Sequence, residues 1–317
     1  DVACAFVFRG DTYRLLEQYE AALADFDQAI ELDLDGALVI VNRGEMYLRL
    51  EQYELALADL NRAIELNPNY AWIIAQRGNT YRLLEQYEAA LADLDRAIEL
   101  DPDFVWAIAH RGETCRLLER YKAALTDLDR AIELNPDDAW AIAQRGETYR
   151  LLEWYEAALA DFDRAIELNP GEVWIIVGRG ETYLLLERYE AALADFDWAI
   201  ELEPDKDWQL YCRGLVCLVT GDSDQAQMDF SRAIGLARQT YEEAPQNWSN
   251  TFNLVTYHLA AQKAGEAESL YRQALAESPP VHTIRTTIRD LDDLLRLLPH
   301  HPQAQAMRDL LQQHLDT

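Results

Sequence analysis

Two charges recur in strict register along the chain. Arginine stands at Arg9, Arg43, Arg77, Arg111, Arg145, Arg179 and Arg213, each followed by glycine, and aspartate at Asp25, Asp59, Asp93, Asp127, Asp161, Asp195 and Asp229. Such a row could present guanidinium groups to an anionic ligand, or it could be a ladder of internal ion pairs. A glycine beside each arginine marks close helix approach, and a guanidinium near a packing seam must find a carboxylate or a carbonyl. Partly buried Arg–Asp pairs are therefore expected. The other reactive side chains are sparse. His300-His301 is the one adjacent pair among six histidines; neighbouring side chains diverge and no cysteine joins them, so an interhelix loop is expected rather than a metal site. Cys4, Cys115, Cys212 and Cys217 form no CxxC pair and read as small hydrophobes in a reducing compartment. Phosphate-cradling loops, nucleophile elbows, zinc spacings and dinucleotide fingerprints are missing from the sequence, and Lys122, Lys206 and Lys263 are too scattered for a phosphate site. Neither catalysis nor a cofactor is expected.

The elements that must position these charges follow from the period. The Arg-Gly pair returns every 34 residues in seven copies, which is the mark of a repeat array. The unit Ala139 to Glu172 divides into two helical halves around Glu153-Trp154-Tyr155. Ile142, Gly146, Tyr149 and Leu152 share one face of the first half, and Ala158, Phe162, Ala165 and Ile166 one face of the second. Pro170 ends the second helix. Gly146, Tyr149, Ala158, Phe162, Ala165 and Pro170 together resemble the signature of the tetratricopeptide repeat. The resemblance covers roughly Ala3 to Thr240 and implies helix-turn-helix units stacked into a right-handed superhelix, with an inner groove lined by the first helices. Two departures stand out. Ile142 and Arg145 occupy the places where the family has Trp and Leu, and Trp has moved to the second place as Trp140. Glu17, Glu51, Glu85, Glu119, Glu153 and Glu187 stand where the family often has a turn glycine, which only Gly221 restores. A left-handed backbone there would cost on the order of 1 kcal/mol per Glu.

The fold class expected is thus an all-α solenoid, with seven repeats over residues 1–240 and a helical C-terminal cap over 241–317. The cap begins with a degenerate eighth unit, Trp248 to Val281, preceded by a lengthened helix from Asp222 to about Glu243. Helices are predicted from Thr283 to Leu298 and from Pro302 to Leu315, the last with a polar outer face of Arg308, Asp309, Gln312, Gln313 and Asp316. At the other end Val2, Cys4, Phe6 and Phe8 form an apolar cluster in a repeat already under way. The chain therefore reads as part of a longer protein, and self-association through this first repeat is a further expectation.

The second, fifth, ninth and twelfth places of each first helix share a face, and in the family that face lines the concave side. The resulting candidate partner-binding residues are Trp72, Asn79 and Arg82; Trp106, Glu113 and Arg116; Trp140, Glu147 and Arg150; Trp174 and Glu181; and Trp208 and Tyr211. Aromatic area with a few directed charges suits a peptide or protein segment, although each Trp could equally cover the joint between units. Trp154 and Trp198 stand at places expected to be exposed. The acids at the fifteenth, eighteenth, twenty-fifth and twenty-ninth places (Glu153, Glu156, Asp163 and Glu167) read as a solvated outer surface. With 57 acids against 28 bases, the net charge of −29 disfavours nucleic acid and anionic membranes as partners. No apolar run is long enough to span a bilayer, and Asp1 to Phe8 lacks the features of a signal peptide, so a cytoplasmic location is expected. The sequence reading is a non-enzymatic protein-interaction module, the sensor or adaptor part of a larger bacterial signalling protein by resemblance of its Arg-Gly repeats. The alternatives are an oligomerisation scaffold or a regulatory subunit of an enzyme.

Overall fold

The computed structural model describes residues 2–32 and 36–315. Among them there are eighteen helices and no strand. Asp316, expected on the outer face of the last helix, lies outside the described residues.

Repeat one pairs α1 (Val2–Leu15) with α2 (Tyr19–Glu31), repeat two α3 (Ala37–Arg49) with α4 (Tyr53–Leu66), and repeat three α5 (Ala71–Leu83) with α6 (Tyr87–Leu100). Repeat four is α7 (Val105–Leu117) and α8 (Tyr121–Leu134), and repeat five is α9 (Ala139–Leu151) and α10 (Tyr155–Leu168). Then come α11 (Val173–Leu185) with α12 (Tyr189–Leu202), and α13 (Asp207–Thr220) with the longer α14 (Ser223–Glu243). The degenerate unit is α15 (Trp248–Ala260) and α16 (Ala264–Ala276), followed by α17 (Val281–Leu297) and α18 (Pro302–Leu315). The sequence boundary at residue 240 falls in the last turn of α14. Two compact units divide between Glu153 and Trp154, inside repeat five; unit 1 is residues 1–153 and unit 2 residues 154–317.

The interhelix turn keeps its left-handed residue even though that residue is Glu. Glu17, Glu51, Glu85, Glu119, Glu153 and Glu187 have φ between 57° and 61°, and Gly221 has φ 91°. The reason is visible in the hydrogen bonds. The amide after Glu17, Glu51, Glu85, Glu119, Glu187 and Gly221 closes the helix end onto a carbonyl before the cap, as in Gln86 N–H to Tyr81 O at 2.8 Å and Arg188 N–H to Tyr183 O at 2.8 Å. That closure satisfies carbonyls which would otherwise be orphaned, and it offsets the strain of a Cβ at positive φ.

Within a repeat the two helices meet over small residues. A Cβ placed on Gly214 would lie 2.7 Å from the Phe230 ring, and one on Gly180 2.8 Å from the Phe196 ring. Ala22, Phe26 and Ala29 of repeat one, and Ala192, Phe196 and Ala199 of repeat six, are fully buried. Each second helix fills the space its glycine leaves. In unit 2, α17 packs against α15 and α18. His301 caps α18, its Nδ1 accepting from Ala304 N–H at 3.1 Å while Nε2 stands 3.0 Å from the Leu259 carbonyl. The histidine pair in the Pro-rich loop is thus structural at His301.

Candidate functional site

The arginines at the seventh place turn toward second helices. Arg111 donates through Nε and Nη2 to Asp127 at 2.8 and 2.6 Å, and through Nη1 to Asp95 at 2.7 Å. Asp127 belongs to the arginine's own repeat and Asp95 to the repeat before, so one guanidinium spans the joint. The same two-armed pattern holds for Arg43 (Asp59 and Asp27), Arg179 (Asp195 and Asp163) and Arg213 (Asp229 and Asp197). Bonding to Asp127 raises the Arg111 pKa further despite partial burial. Asp195 moves the other way from a simple ion pair: burial raises its carboxyl pKa more than Arg179 lowers it. These pairs are costly to break from one side. Asp163, expected to be merely solvated, is instead the second arm of this ladder.

The first helices form a separate layer. In unit 1, α5 lies against α7 and α7 against α9 in addition to their sequential partners, so the first helices form one continuous inner layer of the stack. On it Arg82 donates Nη1 to Glu113 Oε1 at 3.2 Å and bonds Asn79 Oδ1 through Nε and Nη2. Arg116 gives Nε to Gln144 Oε1 at 3.2 Å, and Arg150 is bidentate to Glu147 at 2.8 Å. Glu113 is 8% exposed, and its Oε2 is buried with no hydrogen-bond partner. Tyr87, at the start of α6, stands within electrostatic reach of Arg82, Arg116 and Glu113; burial raises its pKa and the two arginines oppose the rise. Beside this polar row runs an aromatic stack. The His110 ring lies 3.8 Å from Trp106 and 4.6 Å from Trp140, centroid to centroid and nearly parallel, and Phe104 continues the stack to Trp106 at 6.1 Å. Trp72 packs partly buried against the core of repeats two and three, with Tyr70 at 6.3 Å. The indoles therefore do cover joints between repeats, while Trp72, Trp106 and Trp140 all keep some surface.

Unit 2 presents its inner layer differently. Trp174 is 38% exposed, but Trp208 donates Nε1 to Glu181 at 2.6 Å and packs at a tilt against Tyr211 and Tyr257. Tyr211 is 2% exposed. Its hydroxyl pKa is pushed well above 10 by burial, with Cys212, Asp290, Asp293 and Glu181 adding to the rise. Asp290 and Asp293 lie on α17, and Arg296 at the end of that helix donates Nη1 to the Tyr155 hydroxyl at 2.7 Å. One hydrogen bond thus links the C-terminal end of α17 to the start of α10. Tyr211, expected to line an open groove, is buried against the rings of Trp208, Phe230 and Tyr257. Among the described residues no group of three or more His, Cys, Asp or Glu could hold a metal, and no helix is long and apolar enough to cross a membrane.

Family models of the tetratricopeptide repeat match residues 5–35, 37–70, 71–104, 107–138, 141–172, 175–206 and 218–282. The chain belongs to the tetratricopeptide repeat family. No curated protein sequence matches it. Among solved structures it is similar to a tetratricopeptide repeat protein from Parabacteroides merdae, at 19% identity over 74% of this chain and 93% of that one, with a TM-score of 0.60. It is also similar to TTC0263, a thermophilic tetratricopeptide repeat protein of Thermus thermophilus, at 24% identity over 58% of this chain and 100% of that one, TM-score 0.53. A third is the human IFIT1 dimer with PPP-AAAA, at 16% identity over 83% of this chain and 69% of that one, TM-score 0.58. At these identities the likeness is one of fold, an all-α tetratricopeptide repeat solenoid; it is the family match that marks the chain as a protein-interaction module.

Within that family frame, three features had escaped the sequence. The acids at the twenty-fifth place of the repeat could have been found from their invariant spacing to the next arginine. His110, marked only as a departure from the repeat pattern, completes the stack between Trp106 and Trp140. The tie of α17 to α10 has no periodic signal, because it pairs residues 141 apart in Arg296 and Tyr155.

Proposed function

We propose that the concave side of unit 1, centred on α5 and α7, docks a segment of a partner protein. One observation carries this reading: Glu113 keeps a buried carboxylate oxygen without a partner on the inner layer, beside Arg82 and Arg116. A buried acceptor left unpaired costs about 1–3 kcal/mol, and a partner's N–H donor would recover it. Trp72 and Trp106 keep part of their aromatic area open on the same side, the usual material of interface anchors. The docking residues are Trp72, Asn79, Arg82, Trp106, Glu113, Arg116 and Trp140, with Glu147 and Arg150 at the end of unit 1.

The protein works without catalysis or cofactor in this reading, supported by the lack of a convergent reactive constellation. Its charge of −29 supports a partner other than nucleic acid. A sensor or adaptor role in a bacterial cytoplasmic signalling chain rests on the resemblance of the Arg-Gly repeats. Chemical crosslinking with peptide mapping, on partner captured by the 317-residue chain, tests the docking site. Crosslinks should fall on α5 and α7 and should be lost with Arg116→Ala at unchanged melting temperature. Crosslinks confined to unit 2 or to Val2–Phe8 would sink the reading, the latter in favour of self-association.

A further inference from the structure

In four repeats the arginine at the seventh place carries an aromatic ring on its guanidinium. The ring belongs to the tyrosine four residues on, one turn along the same face of the helix. Arg43 lies 5.8 Å from the centre of the Tyr47 ring, Arg77 5.9 Å from Tyr81, Arg145 5.8 Å from Tyr149 and Arg179 6.0 Å from Tyr183. At that range a cation is drawn to the electron-rich face of the ring.

Repeat four breaks the pattern. Cys115 stands in the tyrosine's place. The Arg111 guanidinium keeps its two carboxylates, Asp127 and Asp95, but has no ring of its own helix above it. The space opens into a cleft of about 940 Å³ between α6 and α8, with Leu91, Arg111, Cys115, Tyr121, Lys122 and Thr126 among its walls. Cys115 is buried, and burial, with Asp127 adding to it, raises its thiol pKa. The thiol is therefore a wall of the cleft and not a nucleophile in it.

A second change falls on the rim. The eighteenth place of the repeat is Glu20, Glu54, Glu88, Glu156 and Glu190 elsewhere and Lys122 here. Lys122 is exposed, and among the described residues it has no carboxylate partner. The charges near it are engaged: Asp95 and Asp127 hold Arg111, Arg120 holds Glu88 at 3.1 Å, and Glu119 completes the rim. The missing phenol leaves an aromatic ring the stacking surface that tyrosine covers in other repeats, and the added lysine offers that ring's substituent a cation. Repeat seven is the contrast within the chain. It has Cys217 in the tyrosine's place but Asp224 where repeat four has Lys122, and an acid there would oppose an anion.

We propose that the repeat-four cleft binds a small aromatic carboxylate, its ring over the Arg111 guanidinium in the space of the missing phenol and its carboxylate on Lys122. Arg111 and Cys115 lie on a different face of α7 from Glu113 and Arg116, so the site stands independently of the docking reading above.

The probe is 4-fluorophenylacetate, titrated into the 317-residue chain and followed by fluorine NMR, beside its neutral analogue 4-fluorobenzyl alcohol. Saturable binding of the acid is expected. Cys115→Tyr gives repeat four the ring its neighbours have and should abolish binding. Thr126→Trp, at an exposed place on the rim, should block the cleft without disturbing the buried wall, and it decides the matter if the first variant does not fold. Lys122→Glu exchanges an attraction for a repulsion and should weaken the acid at least about fivefold and the alcohol less than about twofold. Binding that survives both Cys115→Tyr and Thr126→Trp puts the probe elsewhere and overturns the proposal. Equal loss of acid and alcohol with Lys122→Glu overturns the carboxylate ligand. No saturable binding of the acid up to about 10 mM overturns the site altogether.

Discussion

His110 gives the sharpest test of the aromatic stack. Its ring is enclosed by Trp106 and Trp140, with Nδ1 2.9 Å from the Trp106 carbonyl oxygen. Burial, joined by the nearby Arg82 and opposed by that carbonyl, lowers its pKa from 6.5 to about 3. The folded protein therefore keeps His110 neutral where the unfolded chain takes up a proton. Stability from this group is complete above pH 6.5, falls as the pH drops below it, and stops falling near pH 3. One proton difference is worth about 1.4 kcal/mol per pH unit. Between pH 6.5 and about pH 5 the loss is roughly 2 kcal/mol. The buried His258 is lowered in the same sense, so the comparison must cancel it. Urea unfolding of unit 1, read by hydrogen exchange in α7, is measured for wild type and His110→Phe at about pH 7 and pH 5. The phenyl ring preserves the stack without titrating. Wild type should lose about 2 kcal/mol more than the variant on acidification. Parallel losses in the two proteins, or a His110 ring resonance titrating near its ordinary value, would refute the reasoning.

Other outcomes follow from the packing. Arg111→Leu leaves Asp127, 7% exposed, without its bidentate partner and should destabilise unit 1 by about 3–5 kcal/mol in denaturant titration, with Arg111→Leu/Asp127→Leu recovering much of it. Gly214→Ala places a methyl 2.7 Å from Phe230 and should cost about 1–3 kcal/mol. Gly235→Ala, in the middle of α14 with nothing within 4 Å, should instead raise the melting temperature, by about 0.5–1 kcal/mol of helix propensity. Glu51→Gly relieves a φ of 57° at an exposed turn and should stabilise by up to about 1 kcal/mol; a fall in stability would show that the turn prefers a Cβ.

The repeats were legible because their constraints are local and periodic. Gly146, Ala158 and Pro170 report close approach and helix termination within one unit, and the arginine beside each glycine announced its pairing with Asp at the twenty-third place. The candidate site was legible as a row and not as an arrangement. Spacing put Arg82, Glu113 and Arg116 on one face, but it could not say that Arg82 would reach Glu113 in the next repeat while Arg116 turned to Gln144. The C-terminal helices were placed within two residues at each end. Where α17 lies depended on its bond to Tyr155, far away in sequence and outside the 34-residue period.

The second arm of the arginine ladder carries a consequence for how the array comes apart. Each arm ties a repeat to its predecessor, so neighbours open together when the tie is ionic. Between repeats two and three the acceptor is uncharged: Arg77 donates Nη1 to Asn61 at 2.8 Å where the other joints have Asp. An ionised acceptor adds Coulomb attraction that an amide oxygen lacks, and in a one-dimensional stack cooperativity is set by such nearest-neighbour terms. This joint is the natural fracture line of unit 1. Native-state hydrogen exchange should show α1 to α4 opening as one block ahead of α5 to α8, and Asn61→Asp should merge the two steps into one.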